Sequence, residues 1–188
     1  MARYHPPTPS PTHLCLLILF IILPPSMGLL NGTELLKEVC NHTSNYAFCV
    51  ATLNADPNAA GPQALAGDLA NAALRFAQTK ASDAQSLTAL LLKNTTIPVD
   101  RNRLQICQSS NNKAISELSS ANNDFNSDSL DTMVEEMNSA AYATKDCQNE
   151  IQGKGAHFSL LAAINADLIK LCEICIASTR YFTLEDFY

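Results

Sequence analysis

From residue 61 to residue 182 the apolar residues return every three or four positions, and no stretch alternates with a period of two. That spacing is one buried helical face, so the chain is predicted to be all-α rather than a sheet. The first long segment opens at Gly61-Pro62 and carries Leu65, Leu69, Ala72, Ala73, Phe76, Ala84, Leu87, Leu90 and Leu91. Pro98 ends it, because proline disfavours helical geometry in the residue before it. The second, 99–121, places Leu104, Cys107, Ala114, Leu118 and Ala121 on one stripe, and the polar run 122–127 reads as a loop. Asp128 is predicted to cap a third helix whose inner face is Leu130, Val134, Met137, Ala141 and Thr144. Gly153-Lys154-Gly155 closes it. A fourth helix, 159–182, buries Leu161, Ile164, Leu168, Leu171, Cys175 and Phe182. Four amphipathic helices with short connections read as an antiparallel four-helix bundle over residues 61–182. Two shorter stretches precede it. They cover 33–40, with Thr33 as a possible N-cap, and 46–53, ended by Ala55-Asp56-Pro57, and together form an α-hairpin within 29–57 that stands apart from a large core.

The first 28 residues are read separately. Residues 1–12 carry Arg3 and no acid, residues 14–23 are an unbroken apolar run, and Ser26-Met27-Gly28 supplies small residues for cleavage. This is the layout of a secretory signal peptide, 1–28; ten apolar residues are too few for a bilayer that needs roughly 20. The expected mature domain is 29–188. Removing Arg3 from 12 Lys and Arg, against 18 Asp and Glu, leaves a net charge of −7 with His neutral. An acidic chain without a Lys/Arg cluster argues against nucleic acid and anionic membranes as partners.

Secretion changes how the cysteines are read. Cys15 leaves with the signal, and Cys40, Cys49, Cys107, Cys147, Cys172 and Cys175 become disulfide candidates. Six cysteines allow 15 full pairings. Cys107 and Cys147 have their midpoint at residue 127, within the 122–127 connection, so an antiparallel hairpin can set them at similar height, and Cys40 and Cys49 straddle the turn at 41–45. Cys172-x-x-Cys175 lies inside the last helix, not at its N-terminus where a redox thiol is activated. It reads as buried inert thiols, ahead of a disulfide to a partner or redox and metal chemistry. Three sequons, at Asn31, Asn41 and Asn94, are candidate glycosylation sites consistent with the same compartment.

Catalysis has few places to reside. Only His42 and His157 survive signal removal, and neither lies in a nucleophile, zinc or phosphate-loop motif. Asp128, Asp131, Glu135 and Glu136 cluster at one helix end, where acids more simply favour the helix dipole than cleave a glycoside. The expectation is a binding protein with no catalytic residues, cofactor or metal site.

The run from Leu36 through Cys40 to Tyr46-Ala47-Phe48-Cys49, then Leu53 and Asp56-Pro57, then Cys107 and the Ser139–Cys147 segment, resembles the plant invertase/pectin methylesterase inhibitor family. The resemblance spans residues 29–188. It implies an α-hairpin ahead of a four-helix bundle, with bridges Cys40–Cys49 and Cys107–Cys147. It further implies a secreted inhibitor, apoplastic or vacuolar, that forms a one-to-one complex with a plant acid invertase or, alternatively, a pectin methylesterase. Invertase inhibitors of this family present Pro-Lys-Phe between the helices joined by the second bridge, whereas methylesterase inhibitors bind mainly through bundle helices. The nearest match here is Asn123-Asp124-Phe125, so the partner-binding loop is expected at Asn123, Asp124, Phe125 and Asp128, with invertase as the first expectation. The missing Pro-Lys-Phe also leaves a non-inhibitory secreted binding or signalling relative as a further alternative. An enzyme built on Cys172 and Cys175 is the remaining one.

Overall fold

A computed structural model describes residues 30–182. The predicted signal peptide and Cys15 lie outside the described residues. All the regular structure described is helical: α1 (Gly32–Asn41), α2 (Tyr46–Asn54), α3 (Ala66–Asn94), α4 (Pro98–Asn126), α5 (Leu130–Ile151), a 3-10 turn (Ala156–Phe158) and α6 (Ser159–Thr179). The four long helices form a ring in which α3 packs on α4 and α6, and α5 packs on α4 and α6.

The hairpin begins two residues earlier than Thr33 suggests. Asn31 is the N-cap of α1, and its Oδ1 accepts the Glu34 N–H at 3.1 Å. This start is set by contact with the 61–64 turn, where the Gly32 N–H donates to the Pro62 carbonyl at 2.8 Å. A Cβ at Gly32 would lie 2.2 Å from the Gly61 oxygen, so no larger residue fits that approach. Asn45 caps α2 through the Phe48 N–H, and the Cys40–Cys49 bridge ties the helices at a Cα separation of 5.5 Å.

The hairpin does not stand apart from the core. Leu35, Leu36, Val39, Cys40, Cys49 and Leu53 share one apolar cluster with Leu69, Leu74, Leu118, Met137 and Leu171 of the bundle. Each such leucine removed from water contributes roughly 1.5–3 kcal/mol. Two amphipathic turns cannot bury both sides of themselves, so the bundle supplies the second wall. Asp56 completes the joint. Its buried carboxylate accepts the N–H groups of Asn58 at 2.9 Å and Ala59 at 3.3 Å, and it ion-pairs with Arg75 of α3.

Ile97 is extended before Pro98, which takes the first position of α4, where its missing N–H costs nothing. Below the main cluster lies a second one, formed by Ala84, Leu104, Cys107, Cys147, Ile151, Phe158 and Leu161. The Cys107–Cys147 bridge crosses it with Cα atoms 4.4 Å apart. Where the two clusters meet, all four bundle helices carry a buried polar residue: Thr88, Asn111, Thr144 and Asn165. The Asn111 amide donates to Thr88 Oγ1 at 2.9 Å, and Asn165 Nδ2 lies 3.2 Å from the Cys147 sulfur.

The inner face of α5 differs from expectation by one position. Met133, Met137, Ala140, Thr144, Cys147 and Ile151 are buried, while Leu130, Val134 and Ala141 are only partly so. Met137 and Thr144 belong to both stripes; the bridge at Cys147 selects the seven-residue series 133, 140, 147.

Candidate partner-binding surface

The expected loop at 122–127 is mostly helix. Asn123, Asp124 and Phe125 occupy the last turn of α4, which runs to Asn126. Asparagine can hold a helix end by bonding backward, as the Asn126 amide does to the Asn122 carbonyl at 2.7 Å. The chain then turns at Asp128, whose φ of 57° is left-handed. The Ser129 N–H donates to the Asp124 carbonyl at 2.9 Å and the Asp128 N–H to that of Phe125 at 3.4 Å. Those two bonds are a Schellman closure, in which an Asp takes the place commonly held by Gly. Asp128 therefore ends α4, and the N-cap position of α5 falls to Ser129.

This end of the bundle presents less than the sequence suggests. Asn123 and Asp128 are exposed and Asp124 is half-buried. Phe125 packs on the main core and meets Phe182 edge-on, with ring centroids 6.3 Å apart. Its ring is turned into the protein. Glu136 of α5 faces Asp124 across the turn. Partial burial pushes its carboxyl above the ordinary range, the Asp124 charge and hydrogen bond add to that, Glu117 adds further, and a bond from Ser120 opposes them. The corner is acidic and closed.

A second surface was not anticipated. Where the hairpin meets α5 and α6, His42, Asn138, Lys145, Glu173, Ile176 and Arg180 line a groove of about 230 Å³. Glu173 is occupied from the hairpin side, its two oxygens accepting the Ser44 N–H at 2.8 Å and hydroxyl at 2.6 Å. His42 Nδ1 lies 3.0 Å from the Glu38 carbonyl and 3.2 Å from the Tyr181 hydroxyl. Beside this groove on α5 stands Tyr142, 64% exposed, with Lys145 Nζ 5.3 Å from its ring centre. Tyr142 and Lys145 both lie in the Ser139–Cys147 segment. In sequence that segment shows a cysteine and a core face, and an outward tyrosine gives no periodic signal.

The remaining reactive groups are held in structural roles. Cys172 and Cys175 are buried and unbridged. Burial pushes the Cys172 thiol up to about 12, and the same desolvation raises Cys175. Neither ionises at physiological pH. His157 Nε2 lies 3.3 Å from buried Asp100, which Arg103 also engages at 2.8 Å. Among the described residues no group of three His, Cys, Asp or Glu is placed to hold a metal ion. The three sequon asparagines are all exposed: Asn31 caps α1, Asn41 ends it, and Asn94 ends α3.

The fold is therefore a hairpin tied by one bridge, seated on a four-helix bundle tied by a second. The family model for plant invertase/pectin methylesterase inhibitors matches residues 34–177. The chain belongs to that family. No curated protein sequence is significantly similar to this family member. The solved structures that share its fold include two pectin methylesterase inhibitor crystal structures. One is a mutant form of a pectin methylesterase inhibitor from Arabidopsis, 18% identical, TM-score 0.70, over 77% of this chain and 95% of that one. The other is a pectin methylesterase inhibitor from Arabidopsis thaliana, 20% identical, TM-score 0.60, over 79% and 96%. The inhibitor family's helical architecture thus accounts for residues 34–177, and its members act as enzyme inhibitors.

Proposed function

We propose that this protein is a secreted inhibitor of a plant pectin methylesterase, acting in the cell wall through a one-to-one complex. The observation that carries the reading is the position of Phe125. The segment expected to enter an invertase active site is the last turn of a helix, with its aromatic ring packed on the core and an acidic neighbour beside it. A closed acidic corner is poorly suited to enter a cleft of catalytic carboxylates, because like charges brought together in a desolvated site cost several kcal/mol. Binding through an exposed helix face suits the methylesterase mode. Tyr142 and Lys145 of α5, beside the groove toward α6, supply an exposed aromatic anchor and a cation.

The test is a titration of oxidised, signal-free protein against a plant pectin methylesterase and, in parallel, a plant acid invertase at mildly acidic pH. Stoichiometric inhibition of the methylesterase, weakened at least about tenfold by Tyr142→Ala, is the expected outcome. Inhibition of the invertase alone would overturn the choice of target. Silence against both from folded protein would overturn the inhibitor reading and favour a non-inhibitory binding or signalling role.

A further inference from the structure

The end of the bundle away from the hairpin carries an apolar surface that the chain itself leaves uncovered. Of the eight large hydrophobic residues exposed among the described residues, three lie within five positions of Asn94: Leu90 at 55%, Ile97 at 52% and Val99 at 53%. Leu90 and Asn94 are one turn apart on the same face of α3. Asn94 is also among the residues lining a cavity of about 280 Å³, with Leu91, Thr95, Ile97, Asp100 and His157. Asn94-Thr95-Thr96 is one of the three sequons, and Asn94 is the exposed last residue of its helix.

We propose that Asn94 carries an N-linked glycan whose first sugars cover this patch, making the glycan part of the folded surface rather than an appendage. The proposal rests on the reading that the chain is secreted, and goes beyond it by naming the occupied site and what the sugar does there. In the modification the Asn94 carboxamide nitrogen attacks the anomeric carbon of an N-acetylglucosamine on a lipid-pyrophosphate oligosaccharide. A C–N bond forms, the C–O bond to the pyrophosphate breaks, one amide proton is lost, and the lipid pyrophosphate departs. The attached ring can lay its C–H face on Ile97 and Leu90, taking apolar surface out of water. Asn31 and Asn41 have no such surroundings. Asn31 spends its side-chain oxygen capping α1, and among the described residues the large exposed apolar side chains nearest to Asn31 and Asn41 in sequence are one each, Leu30 and Tyr46.

The experiment expresses the full chain in a plant secretory host, maps each sequon peptide by mass spectrometry, and compares Asn94→Gln with Asn31→Gln and Asn41→Gln. Asn94 is expected to be occupied, and its substitution to raise binding of an apolar-surface dye about twofold or more, with the other two variants unchanged. Removing the glycan from folded wild-type protein with an amidase should give the same rise, which separates the sugar's role from any biosynthetic defect of the variant. An unmodified Asn94 in chains glycosylated elsewhere would overturn the proposal, as would unchanged dye binding. Dye binding that follows dissociation of a dimer rather than loss of sugar would assign the patch to a second copy instead. A chain bearing no glycan and retained in the cell would refute the secretion reading itself, and the proposal with it.

Discussion

Replacing Gly32 by alanine sets two principles against each other. Alanine is the better helix former, by up to about 1 kcal/mol over glycine, and residue 32 is the first helical position of α1. On propensity alone the variant gains stability. The structure requires the opposite, because the new Cβ would sit 2.2 Å from the Gly61 oxygen and 2.7 Å from the Ala64 nitrogen. Both are backbone atoms, and neither can rotate away. Relief comes only by lifting the start of α1 off the 61–64 turn, which breaks the Gly32–Pro62 hydrogen bond and disturbs buried Leu35 and Leu36. The lost bond costs about 1 kcal/mol and enforced overpacking about 1–3. After the propensity gain the net destabilisation is about 1–3 kcal/mol, a fall in Tm of roughly 3–10 °C for a domain of this size. Thermal and urea unfolding of oxidised protein would measure it. Gly61→Ala is the control from the same contact: its Cβ meets nothing closer than 3.8 Å, so its stability should stay within about 0.5 kcal/mol of wild type. A Gly32→Ala protein as stable as wild type would refute the close approach, and with it the account of how the hairpin docks.

Further outcomes can be checked independently. Removing the Cys107–Cys147 bridge by double alanine substitution should cost about 4 kcal/mol in urea unfolding and the Cys40–Cys49 bridge about 3, since they close loops of different length; equal losses would count against the chain-entropy account. Glu136 has a raised carboxyl, so its contribution is fully present at low pH and is lost as pH rises through its folded value. Glu136→Gln should therefore gain stability relative to wild type between pH 4 and 7, and a variant that instead weakens toward neutral pH would contradict the crowding by Asp124 and Glu117. Cys172 and Cys175 should resist a thiol-specific reagent at pH 8 in folded protein and react once it is unfolded in urea. Rapid labelling of the native state would show that α6 is not packed as described.

The bundle was legible because four helices leave a repeating mark of spacing, and both bridges were implied by the family resemblance, each pair straddling a turn. Residues 122–126 were not, since Asn, Asp and Ser favour turns by the same side-chain bonding that here holds a helix end in place. The Schellman closure was hidden for a related reason: an Asp supplies the left-handed residue usually signalled by Gly. The stripe on α5 was ambiguous because Met133 and Val134 are adjacent and both apolar, and only the partner of Cys147 decides between them. As for the site, a tyrosine facing solvent is invisible to periodicity. The packing of Phe125 depends on Phe182, 57 positions away, which no local pattern reports.

The polar layer between the two core clusters bears on how the helices find their height. Leucine and alanine faces pack almost equally well after a slide of one turn, so apolar surface alone leaves such a bundle several near-equivalent alignments. Asn111 and Thr88 satisfy each other in one alignment only. A slide would carry a buried amide into the apolar zone, costing about 1–3 kcal/mol for each group left unbonded. The pair works as an index mark between α3 and α4, which no disulfide joins, while the second bridge sets the height of α4 against α5. Those two constraints choose one vertical alignment for three consecutive helices, and so determine which side chains stand side by side on the outer face that a partner would meet.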